Sequence, residues 1–281
     1  MGVLKYLDEK GYPIDFIVGT SAGGIFGALY LLCDNSEDAY EQMKRAMEEA
    51  NAAKNLVNST DDKSSLLANL REKLYLAKTL VSSSIMERAP LREFIEELLG
   101  GPKTFADLKK PLYVVANDLH TGEDVVIGSG DLLEPLIATS SIPGVFPPVK
   151  YKDFCLVDGG TTQKLPSRIA YKLGASKVLG VDITSTYNRK KEYVWAADVL
   201  FRAEEVASNA LHRSNRKSVD LLLHPDFHEF KWHEFKRHNE AFTSGYLEAL
   251  KHAGDIDKFY NARANSRHKD ICAEADNFIL V

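Results

Sequence analysis

The chain has 281 residues, 44% of them hydrophobic and 27% charged, with a formal net charge of −5 at pH 7. That is enough apolar material for one large core or two small ones, and the mildly acidic balance gives no support to nucleic acid as the main partner. Three cysteines, Cys33, Cys155 and Cys272, with no C-x-x-C pair, are too scattered for a disulfide framework and point to reduced thiols in a cytoplasm-like compartment.

The opening MGVLKYLDEKGYPID mixes Asp8, Glu9 and Asp15 with its lysines, so it does not read as a secretory signal. Residues 3–9 read as a short helix with Val3, Leu4 and Leu7 on one side, closed by Gly11 and followed by Pro13. Next comes FIVGTSAGGIFGALYLLC, residues 16–33, which contains no charged side chain and spaces Gly19, Gly23 and Gly27 as a doubled G-x-x-x-G. Length and spacing together raise the question of a membrane-spanning helix. Against it, Asp15 and Asp34 bracket the run, no basic cluster flanks it, and four glycines would weaken a lone helix. The same letters read better as strand FIV, turn GTSAGG and helix IFGALYLL. Gly19 and Gly23 then let the chain turn sharply around Ser21, and Gly24 and Gly27 let the helix approach a sheet. The pentapeptide G-x-S-x-G puts Ser21 where a nucleophile stands on a strand-to-helix turn.

Ser36 is a candidate N-cap for a helix to about residue 50, and Leu66, Leu67, Leu70 and Leu74 give helical spacing over 64–80. Pro90 opens a helix that Gly100 closes. Residues 36–100 thus form a helix-rich insertion between the serine turn and the next strand. After Pro111, LYVVAN and DVVIG are strands separated by HTGE, and DLLEPLIATS is a helix. FCLVDGG is a strand running into a turn, and residues 165–173 are helical. KVLGVDI has the continuous apolar character of a strand buried in a parallel sheet. A helix over 192–213, the strand VDLLLHP and helices from 236 onward complete an alternating α/β chain.

Only eighteen residues precede Gly19, too few for the strands that come before the elbow of an ordinary α/β-hydrolase. The acid best placed to serve Ser21 is Asp158 in LVDGG, at a strand end and followed by Gly159 and Gly160. Sites in α/β folds form at such carboxyl edges. Asp182, ending another strand, is its one rival. Ser129, Ser140 and Ser141 lie in Gly/Ser turns, with Ser140 and Ser141 setting the loop into PGVFPP. Asp118 and His120 shape a hairpin turn, and RKKE at 189–192 reads as a solvated helix start. His224, His228, His233 and His238 fall close together without the H-E-x-x-H spacing of a zinc site, so neither metal nor cofactor is called for.

The stretches GVLKYLDEKGYPIDFIVGTSAGG, PLYVVANDLHTGE, IATSSIPGVFPPV and LVDGG, in this order, resemble the patatin-like phospholipases of the bacterial type and the catalytic part of neuropathy target esterase. The match runs from Gly2 to about Pro166, more loosely through KVLGVDIT. The resemblance implies a three-layer α/β fold with a mainly parallel central sheet and helices on both faces. It implies a Ser–Asp dyad of Ser21 and Asp158 acting on a phospholipid, lysophospholipid or other acyl ester through an acyl-enzyme, with transient contact at a membrane surface. The N–H of Ala22 would meet the oxyanion, and Gly19, Gly23, Gly159 and Gly160 are the motif glycines. Burial beside Ser21 would raise the aspartate from its ordinary pKa of ~3.9 toward that of a working base. The family also carries a G-G-G-x-(R/K)-G loop ahead of the segment that GVLKYL matches. The sequence as written starts inside that segment, so this loop and the first strand are expected to be missing, leaving FIV with an open edge. A weakly active or silent lipid-binding protein on the same fold is then the alternative. Residues 1–183 are expected to form the catalytic core, with part of the 36–100 insertion covering the acyl site or else serving as scaffold, and 184–281 an α/β extension.

Overall fold

The computed structural model describes residues 1–58, 87–184, 193, 196–226, 237–263 and 278–281. Helix α1 (Gly2–Lys10) ends on Gly11, whose φ of 69° makes the left-handed cap that the sequence signals. Strand β1 (Ile17–Thr20) runs directly into α2 (Ala22–Leu32), so the uncharged stretch divides into strand, turn and helix. Among the described residues no helix is long and apolar enough to cross a membrane. Helices α3 (Ser36–Asn58) and α4 (Ala89–Leu99) follow; the helix read over 64–80 lies outside the described residues.

The central sheet is built from β1, β2 (Leu112–Asp118), β3 (Asp124–Ile127), β4 (Val149–Tyr151), β5 (Phe154–Asp158) and β8 (Phe278–Leu280). Its order is β4-β5-β2-β3-β8, with β1 also on β2. The sheet is mixed, which corrects the expectation of a mainly parallel one. β1 with β2 and β3 with β8 are parallel, whereas β2 with β3, β2 with β5 and β4 with β5 are antiparallel. Two of the antiparallel pairs are hairpins. One is the HTGE turn; the other is a two-residue turn at Lys152–Asp153, where Lys152 takes φ 52°. KVLGVDI and VDLLLHP supply β6 (Leu179–Val181) and β7 (Leu221–Leu223), which pair in parallel as a separate two-stranded sheet.

Side chains alternate across β2, so its two faces carry different cores. Val114 and Ala116 pack under α2, α3, α4 and α5 (Leu133–Thr139) with Leu29, Met43, Ile95 and Leu136. Val115 faces the other way, against Val126 and Ile169 of α6 (Ser167–Lys172). Helices on both faces of one sheet make the three-layer α/β arrangement. α7 (Ala196–Arg216) follows, then α8 (His238–Lys251), which packs on α1, and α9 (Ala253–Asn261). Because β8 completes the sheet beside β3, the last residues of the chain are part of the same layer as Ser21.

Candidate active site

Two strands share one edge of β2. β1 pairs with its first half, Thr20 lying opposite Val115, and β5 pairs with its second half, Asp158 lying opposite Ala116. The two strands approach from opposite directions, so their carboxyl ends meet at consecutive β2 residues. At that meeting point each chain must turn away at once. Glycines permit it: a Cβ on Gly19 would sit 2.5 Å from the Gly23 backbone, and one on Gly159 2.4 Å from the Val115 carbonyl oxygen. Gly23 itself behaves otherwise than the sequence reading supposed. It has open space around it and no positive φ, so the sharp turn is carried by Gly19 and by Ser21.

Ser21 sits at φ 51°, ψ −122°, a region that costs a non-glycine residue about 1–3 kcal/mol and that clusters at functional sites. Packing holds it there. Its N–H donates to Thr139 Oγ1 at 2.8 Å, and the Thr139 hydroxyl donates to the Val115 carbonyl at 2.5 Å. Gly24 and Ile25 donate to the Ser21 carbonyl, which starts α2. Ala22 and Gly23 therefore supply amides ahead of the helix ladder, at its positive end, beside the Ser21 side chain.

Asp158 is 6% exposed. Its N–H donates to the Ser141 carbonyl at 2.9 Å, which ties the TSSIPG loop to the carboxylate, and its Oδ1 accepts the Gly160 N–H at 2.7 Å. The Ser21 side chain lies beside it and favours its charged form. Burial pushes the carboxyl up to about 6. The Gly160 N–H bond, the Ser21 side chain and the charge of Lys164 oppose that rise, while nearby Glu204 adds to it. A carboxylate so placed is a far better proton acceptor than a free one.

The loop after Asp158 is braced by groups that no sequence motif marks. Asp124, 8% exposed, accepts from Asn117 Nδ2, from Thr162 Oγ1 at 2.6 Å and from Gln163 Nε2 at 2.7 Å. Gln163 Oε1 accepts in turn from Asn215 Nδ2 of α7 at 3.0 Å, and Ser208 of α7 donates to the Gly160 carbonyl at 2.9 Å. A cavity of about 150 Å³ lies beside this network, lined in part by Asp124, Thr162, Gln163 and Arg168.

The other candidates are placed elsewhere. Asp182 is fully buried at the end of β6, where His212 Nε2 (2.9 Å), Arg216 Nε (3.2 Å) and the Thr184 N–H (2.9 Å) reach its carboxylate. Burial alone would raise its pKa, but these donors outweigh it and hold the carboxyl at about 2. That is an anchored anion and a poor base. Asp118 accepts from Thr121 and from the Cys155 N–H, as a residue shaping its turn does. Ser141 Oγ donates to the Ile137 carbonyl. His224 bonds the Asp182 carbonyl and His238 contacts Tyr40; His228 and His233 lie outside the described residues, as does RKKE.

With this geometry in view, the comparisons with known proteins decide the family. The family model for patatin-like phospholipases matches residues 1–171, a span that holds β1, Ser21, the TSSIPG loop and Asp158. The chain belongs to the patatin-like phospholipase family. It is 30% identical over 273 residues to patatin-like phospholipase domain-containing protein 6 of Mus musculus, covering 88% of this chain and 19% of that protein. It is 22% identical over 272 residues to an uncharacterized NTE family protein of Mycobacterium tuberculosis, 88% of this chain and 43% of the relative. The chain thus spans less than half the length of these relatives. Among solved structures, VipD of Legionella pneumophila aligns over 97% of this chain and 70% of that one, with 11% identity and a TM-score of 0.44.

Proposed function

We propose that this chain carries a serine-dependent lipid acyl hydrolase site of the phospholipase A or lysophospholipase type, working through a Ser21–Asp158 dyad. The observation that supports it most is Ser21 set, by the strand pairing on β2, beside a buried carboxylate raised to about 6. Ser21 Oγ attacks the ester carbonyl carbon while its proton passes to Asp158. The carbonyl oxygen becomes an oxyanion, received by the Ala22 N–H at the positive end of α2. Collapse breaks the ester bond, and the proton on Asp158 moves to the departing alkoxide, leaving the acyl group on Ser21. Water then attacks the acyl-enzyme, Asp158 takes its proton, and the fatty acid leaves as Ser21 regains its hydrogen. Each proton is returned, so the dyad ends the cycle with the charge it began with.

Phospholipids and lysophospholipids reside in aggregates, so the reading includes a transient, peripheral contact with a membrane surface. The unpaired Cys33 and Cys155 fit a reducing compartment. The test is hydrolysis of a short-chain ester and of a phospholipid by the wild type, Ser21→Ala and Asp158→Asn. Both variants are expected to lose at least about 10³-fold in kcat with the fold intact. Near-normal turnover by folded Asp158→Asn would remove Asp158 from the reaction.

A further inference from the structure

Helix α7 is inside out. A surface helix ordinarily turns its apolar stripe inward and its polar residues to water. Here Ser208, His212 and Asn215 are the buried residues, each at most 5% exposed. They are held by specific bonds: Ser208 to the Gly160 carbonyl, His212 to Asp182, and Asn215 to Gln163. Asn209 adds a fourth by accepting from Lys164. These partners fix the rotation of the helix, since turning it would strand several buried polar groups at about 1–3 kcal/mol apiece. The outward face is left to Val199, Leu200, Ala203, Val206, Ala210 and Leu211, all exposed, with Leu200 at 71%. At 100° per residue these positions sweep an arc of roughly 140° that holds no charged side chain.

We propose that this face is a lipid-docking surface that seats the protein on a membrane with the dyad at the interface. The proposal rests on the hydrolase reading of the site. Two observations favour a lipid surface over other occupants. First, the helix that carries the face is fixed to the site by its other side: Ser208 holds the loop that carries Asp158, and Phe201, still half exposed, packs where a Cβ on Gly144 of the SIPGVFPP loop would stand, 2.9 Å away. Second, the stripe is one helix wide and made of small and medium side chains. A stable protein partner needs roughly 20–30 residues a side. A helix of this kind instead lies in the plane of a bilayer interface with its apolar face among the acyl chains.

The test compares wild type with the double variant Leu200→Glu, Val206→Glu, both exposed positions outside the dyad. Flotation with phosphatidylcholine vesicles measures docking without catalysis, and hydrolysis is followed on the same vesicles and on a water-soluble short-chain ester. The expected result is a loss of about tenfold or more in flotation and in vesicle hydrolysis, with ester hydrolysis and melting temperature unchanged. Wild-type protein that does not float, or a double variant that floats and hydrolyses vesicles as wild type does, overturns the proposal. So does a variant that melts lower, which would mean that another part of the chain covers α7, or one that shifts from dimer to monomer, which would mean that a second copy does. Flotation of wild type without hydrolysis of either substrate would sink the hydrolase reading and leave the docking face standing.

Discussion

Thr20 and Asp158 lie opposite consecutive residues of β2, Val115 and Ala116, although they come from strands of opposite direction. This is what places Ser21, the next residue after Thr20, against Asp158. The Val115 carbonyl is the hub of the arrangement: it accepts the Thr139 hydroxyl that fixes the Ser21 N–H, and it fills the space that a side chain on Gly159 would need.

Alanine substitution at the motif glycines separates the tight contacts from the open one. Gly159→Ala should lose at least about 1–3 kcal/mol in urea unfolding and most of its ester turnover, because its Cβ cannot avoid the Val115 backbone. Gly23→Ala should unfold at the wild-type urea midpoint or above it, since the new methyl meets nothing and alanine favours helix. Equal destabilisation by both would contradict the contacts described.

Removing the Thr139 hydroxyl leaves the Ser21 N–H without its acceptor and the Val115 carbonyl without its donor. Thr139→Val is therefore expected to cost about 1–3 kcal/mol of stability. A drop in kcat at nearly constant KM should accompany it, as Ser21 loses its fixed φ. Stability equal to wild type in a denaturant titration would show that this bond does not hold Ser21 in place.

Asp158 makes stability and activity depend on pH in opposite senses. Its folded pKa of about 6 lies above the unfolded value, so its protonated form favours folding. That stability is fully present below about pH 4 and is lost as pH rises through 6. Above pH 7 the buried carboxylate costs on the order of 2–3 kcal/mol. Asp158→Asn should therefore melt higher than wild type at pH 8 and about the same at pH 4. kcat/KM on a soluble ester should instead rise through about pH 6 and level off, since the reaction needs the ionised base. A melting advantage that persists at pH 4 would assign the effect to something other than ionisation.

Asp124 should move that profile from a distance. It holds Thr162 and Gln163, and through them the turn that aims the Gly160 N–H at Asp158. Because that bond lowers the Asp158 pKa, Asp124→Ala should shift the acid limb of kcat/KM upward. Glu204 and Lys164, the other charged groups facing Asp158, stay in place. A folded variant with an unmoved acid limb would limit Asp124 to stability alone.

What could be read from the sequence follows the range of each interaction. GTSAGG and LVDGG are local patterns, so Ser21 on a strand-to-helix turn and Asp158 at a strand end were legible as they stand. Gly11 and Gly100 end helices as their positions signal. The mixed sheet was not legible, because pairing is non-local and the β4–β5 turn uses Lys152–Asp153 with no Asn-Gly or Gly-Gly to mark it. Thr139, Asp124 and Gln163 carry no motif; only the fold aims them at the dyad. The inversion of α7 was equally hidden, since the same amphipathic pattern results whichever side faces the protein.

The most direct test of the dyad is the site and rate of fluorophosphonate labelling, read by mass spectrometry across pH. The account predicts a single adduct on Ser21, a labelling rate that rises through about pH 6, and at least about 10³-fold slower labelling in Asp158→Asn. An adduct on another serine, or labelling of Ser21 in Asp158→Asn at the wild-type rate, would contradict it.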